Sequence, residues 1–254
     1  MNSVLSKIIE LVQNHEFYKA EQELNSIYEI NANSYDVNKL LGIALIAQKK
    51  YNGALKCFEK CYEIKQNDYE VVLNISYLFL KTQFYKQSIE FSKKAIDLDS
   101  KKPGAYQNLA SCFFFLDRQQ EAQENIEKTI DIRGGLKNEH FYNVIDLRRL
   151  YGDILLAQKK SKQFCEYILD LLELTYDCNL LTKLHRENPK LIQKKHLDQV
   201  KHAIKNSVHY ESIVDRNTEL SSAHFFLAEY NSKNDQTLSE QHYVKANKYI
   251  ADMQ

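Results

Sequence analysis

Polar side chains that could bind a peptide backbone recur at a fixed interval in the first half of this chain. Asn74 and Asn108 stand 34 residues apart in a sequence of 254 residues. A side-chain amide can donate to and accept from a peptide backbone at the same time. Two such amides at equivalent positions of successive structural units would hold an extended peptide independently of its side chains. Other polar and aromatic candidates for the same surface are Lys39, Tyr77, Lys81, Gln107 and Ser111.

Catalytic and metal-binding patterns are missing from the sequence. No nucleophile–base motif or glycine-rich phosphate loop occurs in it. Cys57 and Cys61 would share a helix face, but no CxxC or HxxxH pair offers the further ligands that zinc needs. The five cysteines, an odd number, fit buried reduced thiols better than a disulfide framework. We therefore predict a protein that is not an enzyme and that needs no metal or cofactor.

The composition predicts a helical, cytoplasmic protein. The 34 Lys and Arg residues balance the 34 Asp and Glu residues, so net charge provides no general attraction to nucleic acid or to an anionic membrane. Six glycines and two prolines are too few for the turns of an all-β fold. The most apolar run, residues 109–116, is shorter than the roughly 20 residues of a membrane span. The N-terminus lacks the features of a signal peptide, and we expect neither nucleic acid nor a membrane as a partner.

A period of 34 residues organises the first half of the chain. Each period contains two apolar stripes with helical spacing, which predicts a pair of helices that must stack on neighbouring pairs to bury both stripes. Small residues are expected where the two helices of a pair approach closely, and large residues beside them. Position 20 of the period shows the interval most clearly, because a small residue stands there in each of the four periods: Ala20, Ala54, Ser88 and Ala122.

This pattern resembles the tetratricopeptide repeat (TPR), a 34-residue helix–turn–helix unit. The resemblance implies an all-α fold, a right-handed TPR solenoid of about five helix pairs with a helical C-terminal extension. Residues 1–136 would hold four repeats, and residues 137–178 would hold a fifth repeat, displaced by an insertion, whose frame begins at residue 145. Residues 179–254 would form the extension and end in a repeat-like helix pair. The Trp and Pro common in the family are absent from their expected positions.

The TPR resemblance implies a binding function for the concave groove lined by the first helix of each repeat. Asn74 and Asn108 resemble two rungs of the asparagine ladder of TPR glycosyltransferases, although asparagine is also common there in TPRs without this role. The carboxylate clamp of chaperone-tail-binding TPRs is matched only by Lys39 and Asn74, which argues against such a ligand. We therefore predict a scaffold that binds a protein or extended peptide, with self-association through the solenoid ends as a further possibility.

The C-terminal third leads to two further hypotheses. Residues 223–230 and 242–247 resemble the connector of bacterial TPR–sulfotransferase proteins. This resemblance implies an alternative function, the substrate-recruiting arm of a transferase whose catalytic domain is absent from this chain. Residues 183–205 carry seven cations and two acidic residues. A solvated helix face, or a surface that meets an acidic partner, explains this segment better than a nucleic-acid site, because it lacks interleaved aromatic residues.

Overall fold

The computed structural model describes residues 2–138, 144–172, 177–206, 213–232 and 235–252. These residues form 14 α-helices and one short 3-10 helix, and the described part of the chain contains no strand. The predicted all-α fold is therefore confirmed. The helices group into two compact units, Met1–Gly135 and Leu136–Gln254.

The first unit consists of four consecutive helix pairs. The two helices of each pair pack together, and the second helix of a pair packs on the first helix of the next. This is the stacking of a TPR solenoid, in which each pair buries the apolar stripe that its neighbour exposes. The helices are α1 (Asn2–Gln13), α2 (Phe17–Asn31), α3 (Tyr35–Ala47), α4 (Tyr51–Ile64), α5 (Tyr69–Lys81), α6 (Tyr85–Leu98), α7 (Gly104–Phe115) and α8 (Gln119–Ile132).

Close contact between the paired helices depends on small residues at equivalent positions of the repeats. Ala20, Ala54 and Ala122 are completely buried, as the column of small residues predicts. In the second pair, a Cβ atom added to Gly42 would lie 2.6 Å from Cε2 of Phe58, whose side chain is also completely buried. Gly42 therefore lets α3 approach α4 closely enough for the Phe58 ring to fill the space between them.

The turn between the paired helices has the same backbone geometry in every repeat of the first unit. In the second pair, Lys49 has a φ of 60°, and the amides of Lys49 and Lys50 donate to the carbonyl oxygens of Ile46 and Leu45 at 2.9 Å each. This is a Schellman motif, which satisfies carbonyl groups at a helix end and reverses the chain. The residues with positive φ are 34 apart: His15, Lys49, Gln83 and Asp117.

The second unit begins with a helix pair of the same kind. It contains α9 (Ile145–Ala157) and α10 (Ser161–Leu172). The turn between them again has a positive φ, at Lys159, with the same two hydrogen bonds. Lys159 occupies the equivalent position in the repeat frame that begins at residue 145. A Cβ added to Gly152 would lie 3.3 Å from Phe164, so a glycine again faces an aromatic ring across the pair.

Four more helices complete the second unit. They are α11 (Cys178–Glu187), α12 (Lys194–Asn206), α13 (Ile213–Asn231) and α14 (Gln236–Ala251), with the 3-10 helix Pro189–Leu191 before α12. The four-residue spacing of Ile192, His196, Val200 and Ile204 predicts a helix from about residue 189 to 208. Its start is wrong, because α12 begins at Lys194. Helix α13 packs against α11, α12 and α14.

An ion-pair cluster holds the start of α11 against α9. The Asp177 side chain is 1% exposed and accepts from Arg148 Nη2 at 3.3 Å and from Arg149 Nε at 3.0 Å. It also accepts from the backbone amides of Asn179 and Leu180, which caps α11. One carboxylate thus fixes both the direction of α11 and its position relative to α9.

A histidine pair lies between α13 and α14. Nδ1 of His224 and Nδ1 of His242 are 2.8 Å apart, and the His224 ring also stacks on Tyr249. One ring must donate and the other accept, which requires the accepting imidazole to be neutral. Burial, followed by the neighbouring His242 and Lys245, lowers the pKa of His224 to about 4. This contact is therefore formed at neutral pH.

Candidate peptide-binding surface

Helix α5 places three of the predicted binding residues on one face. Asn74, Tyr77 and Lys81 follow one another at intervals of three and four residues, the spacing of a helical stripe. Asn74 and Tyr77 are half-buried, and Lys81 is exposed. Nδ2 of Asn74 donates to the carbonyl oxygen of Glu70 at 2.7 Å, and Lys81 Nζ lies 5.3 Å from the centre of the Tyr77 ring.

Helix α7, which packs beside α5, contributes the next group. Gln107 and Ser111 are half-buried, and Ser111 Oγ donates to the carbonyl oxygen of Gln107 at 3.1 Å. Asn108 behaves differently, because it is only 7% exposed and its Nδ2 donates to Ser76 Oγ at 3.0 Å. The amide nitrogen of Asn108 thus links α7 to α5, whereas that of Asn74 bonds within its own helix.

A buried hydrogen-bond network surrounds Asn108. Ser76 Oγ lies 2.6 Å from Ser92 Oγ, and Ser88 Oγ donates to the backbone carbonyl of Ser76 at 2.8 Å. Cys112 Sγ lies 3.1 Å from Ser88 Oγ. Satisfied polar contacts therefore join the third and fourth pairs. At the repeat position that Ser92 occupies in the third pair, the second pair has the apolar Phe58. The sequence analysis did not predict this network. Its indication in the sequence was three serines at repeat positions where the other repeats carry small or large apolar residues.

Lys39, on α3, forms an ion pair with Asp68, the residue that precedes α5 in the next repeat. Its Nζ lies 3.1 Å from Oδ2 of Asp68, the residue that caps α5 through the amides of Glu70 and Val71. Tyr35 donates its hydroxyl hydrogen to the same carboxylate. Burial opposes ionisation of Asp68, but the hydrogen bonds from Tyr35 and Lys39 outweigh it and lower the pKa of this carboxyl to about 2. A peptide carboxylate would compete with Asp68 for Lys39.

Apolar residues lie among the predicted polar ones, and Ile43 and Leu80 were not among the sequence candidates. Ile43 on α3, Leu80 on α5 and Phe114 on α7 are half-buried and occupy the same stripes of the first helices. At the end of α7, Phe115 is 60% exposed and stacks on Tyr85 with ring centres 5.6 Å apart. The first-helix surface, by which we mean this face of α3, α5 and α7, is therefore more apolar than its asparagines suggest.

The middle of helix α6 presents a different surface. On α6, Lys86, Glu90 and Lys93 are exposed, and Glu90 pairs with Lys94 at 2.9 Å. Such a charged face remains hydrated at little cost, whereas half-exposed aliphatic and aromatic side chains gain free energy when a ligand covers them. The contrast between the two faces favours the first-helix surface as the binding surface.

Other kinds of site find little support in the described part of the chain. It contains no group of three or more His, Cys, Asp or Glu side chains that could hold a metal ion. None of its helices is long and apolar enough to cross a membrane. All five cysteines are buried and none forms a disulfide, as predicted, and burial raises the pKa of Cys57 to about 11 and that of Cys61 to about 12. These two thiols are therefore poor nucleophiles at neutral pH.

Comparison with known proteins supports the TPR assignment. Residues 37–68 and 103–134, which are parts of the second and fourth pairs, match the family described as tetratricopeptide repeat. No curated protein sequence matches the chain. The predicted TPR repeats are confirmed for these two segments.

Solved structures extend the comparison to the whole fold. The C-terminal part of a TPR repeat-containing protein from Cytophaga hutchinsonii is 16% identical, covers 98% of this chain and 99% of its own, and has a TM-score of 0.57. MamA from Desulfovibrio magneticus RS-1, residues 41 to the end, is 16% identical over 68% of this chain and 93% of its own, with a TM-score of 0.58. At these identities the likeness shows that the chain has a TPR fold. The resemblance of residues 223–247 to a sulfotransferase connector is not confirmed and stays a prediction.

Proposed function

We propose that this protein is a non-catalytic scaffold that binds an extended protein segment on its first-helix surface. The observation that carries the proposal is the composition of that surface, where Asn74 and Gln107 lie among half-exposed apolar side chains. Repeated shallow contacts along stacked helices suit an extended segment better than a compact small molecule.

The geometry favours a ligand with apolar side chains and an accessible backbone. Tyr77 and Phe114 offer apolar area, while the amides of Asn74 and Gln107 offer donors and acceptors for peptide groups. Lys81, exposed beside Tyr77, would favour an acidic residue at one end of the ligand. Asn108 is buried below this surface and donates to Ser76. We therefore expect it to contribute least to direct contact with the peptide.

The test begins with selection of ligands from a library of random peptides displayed on phage. The Kd of the selected peptides is then measured by fluorescence anisotropy with the wild type and with Asn74→Ala. Loss of a hydrogen bond to a peptide group should weaken binding by about tenfold, because about 1.4 kcal/mol corresponds to that factor. Tyr77→Ala should weaken it at least as much through lost apolar contact.

Lys93→Ala on the exposed face of α6 is the matched control, and circular dichroism establishes that each variant is folded. Peptides that bind all three variants as tightly as the wild type would refute the proposed surface. Self-association through the solenoid ends remains a separate prediction. The groove between α1 and α2 at one end is lined mainly by polar residues, including the Lys7–Glu23 ion pair at 2.7 Å, which disfavours stacking there.

A further inference from the structure

Helix α12 presents a mainly cationic face. Its apolar side is turned inward, with Val200 completely buried against the unit. On the other side Lys194, Lys201 and Lys205 are exposed, and within the described residues none of them forms an ion pair. The only acidic residue on this face is Asp198, which is also exposed.

Helix α8 presents the opposite pattern. Glu124, Glu127 and Asp131 are exposed, and Lys128 is the only cation among them. Glu124 accepts a hydrogen bond from Gln120 and Glu127 accepts one from Gln123, but neither they nor Asp131 meet a cation in the described part of the chain. The zero net charge of the protein therefore hides two separate faces of opposite sign.

The two faces match in register as well as in sign. Lys194 and Lys201 are seven residues apart, as are Glu124 and Asp131, so each pair spans about 10.5 Å on one side of its helix. In an antiparallel arrangement Lys194 meets Asp131, and Lys201 meets Glu124. The minority charges then lie at similar heights, because Asp198 lies four residues after Lys194 and Lys128 lies three residues before Asp131. The heights of Asp198 and Lys128 along the helices differ by about 1.5 Å, and the acidic Glu127 lies at the height of Asp198.

We propose that α12 of one copy of this protein binds α8 of a second copy in antiparallel orientation. The partner is a second copy because the chain itself supplies a surface that is complementary in the sign and the spacing of its charges. Such a contact joins different patches of the two copies, is sensitive to salt and leaves the first-helix surface free. It does not depend on the proposed peptide binding.

A charge-swap experiment tests this contact. One variant carries Lys194→Glu and Lys201→Glu, and the other carries Glu124→Lys and Asp131→Lys. Each variant alone would bring like charges together and should raise the Kd of self-association about tenfold or more. An equimolar mixture restores opposite charges at the contact between the two variants and should associate like the wild type. Lys86→Glu with Lys93→Glu on α6 is a control with the same spacing and charge change.

The readout is the sedimentation coefficient between about 10 μM and 500 μM, where contacts with Kd values from micromolar to millimolar become populated. We expect association in about 0.1 M NaCl and its loss in about 1 M NaCl, since the screening length falls from about 10 Å to about 3 Å. A wild type that stays monomeric throughout this range would overturn the proposal. So would α12 and α8 variants that associate normally, or a mixture that fails to associate although each variant is folded.

Discussion

The contact between Gly42 and Phe58 gives the sharpest prediction about the architecture that positions the first-helix surface. A methyl group added by Gly42→Ala would lie 2.6 Å from Cε2 and 2.9 Å from Cδ2 of Phe58. The Phe58 ring is completely buried, so it has no free space into which to move. Relief of the clash therefore requires α3 and α4 to separate.

The expected magnitude follows from two opposing terms. Alanine favours a helix over glycine by about 1 kcal/mol, whereas overpacking a well-packed core costs about 1–3 kcal/mol. Because the contact is far inside normal carbon–carbon separation, we take the upper end of that cost. The free energy of unfolding should then fall by about 2 kcal/mol.

Gly53→Ala is the matched control in the same helix pair. Its added Cβ would lie 3.3 Å from Cδ1 of Leu45, the end of a flexible side chain that can move slightly. The helix propensity of alanine should then dominate, and stability should stay constant or rise by up to about 1 kcal/mol. Urea denaturation followed by circular dichroism at 222 nm measures both changes.

Phe58→Leu completes the test as a double-mutant cycle. A smaller side chain opposite the methyl group that Gly42→Ala adds should remove most of the clash, so that the double variant loses less stability than the sum of the two single variants. Additive losses, or a Gly42→Ala variant as stable as the wild type, would show that α3 and α4 are not held so close together.

Three further changes should alter stability in defined directions. Lys49→Gly should stabilise the protein by about 0.5–1 kcal/mol in urea denaturation, because glycine adopts the positive φ of this turn without the Cβ penalty. Asp177→Ala should cost about 3–5 kcal/mol, since Arg148 loses its buried carboxylate partner and α11 loses its cap. The His224 pKa is about 4, below the ordinary 6.5, so its contribution is present above pH 6.5 and is lost as the pH falls toward 4. Stability should decrease by about 1–2 kcal/mol over that interval, less than the full pKa difference implies because water screens part of it, and His224→Phe should flatten this part of the pH profile.

The outcomes that would contradict these three predictions are distinct. A destabilised Lys49→Gly variant would mean that this backbone is not left-handed in the folded state. Asp177→Asn should keep the helix cap but lose the charge, so equal stability of the wild type and both Asp177 variants would remove the proposed anchor. A wild-type protein with unchanged stability between pH 6.5 and pH 4 would contradict neutral pairing of His224 and His242.

The repeat architecture could be predicted because equivalent positions of successive repeats carry residues of the same size and polarity. Small residues such as Ala54 allow the helices to approach, and the spacing of apolar stripes fixes which sides pack. In the frame predicted to begin at residue 145, Lys159 occupies the turn position and has the positive φ of the other turns. The start of α12 could not be predicted, because the four-residue pattern that begins at Ile192 does not reveal that Pro189–Leu191 forms a separate 3-10 turn.

The candidate surface was harder to predict because equal repeat positions do not guarantee equal environments. Asn74 and Asn108 occupy the same column, yet only Asn108 finds a buried hydroxyl, that of Ser76, on the neighbouring helix. Lys39 likewise pairs with Asp68, a residue 29 positions away whose proximity depends on the stacking of two repeats. Sequence spacing gives the face of a helix, but the partner of each side chain depends on the neighbouring repeat.

Site-specific photo-crosslinking tests the central claim most directly. A benzophenone side chain is placed at position 107 on the first-helix surface, or at position 90 on α6 as the control, and each protein is irradiated with a selected peptide. We expect the peptide to crosslink at position 107 and not at position 90, and excess unlabelled peptide to suppress the product. Crosslinking at position 90 alone, or equally at both positions, would contradict binding on the first-helix surface.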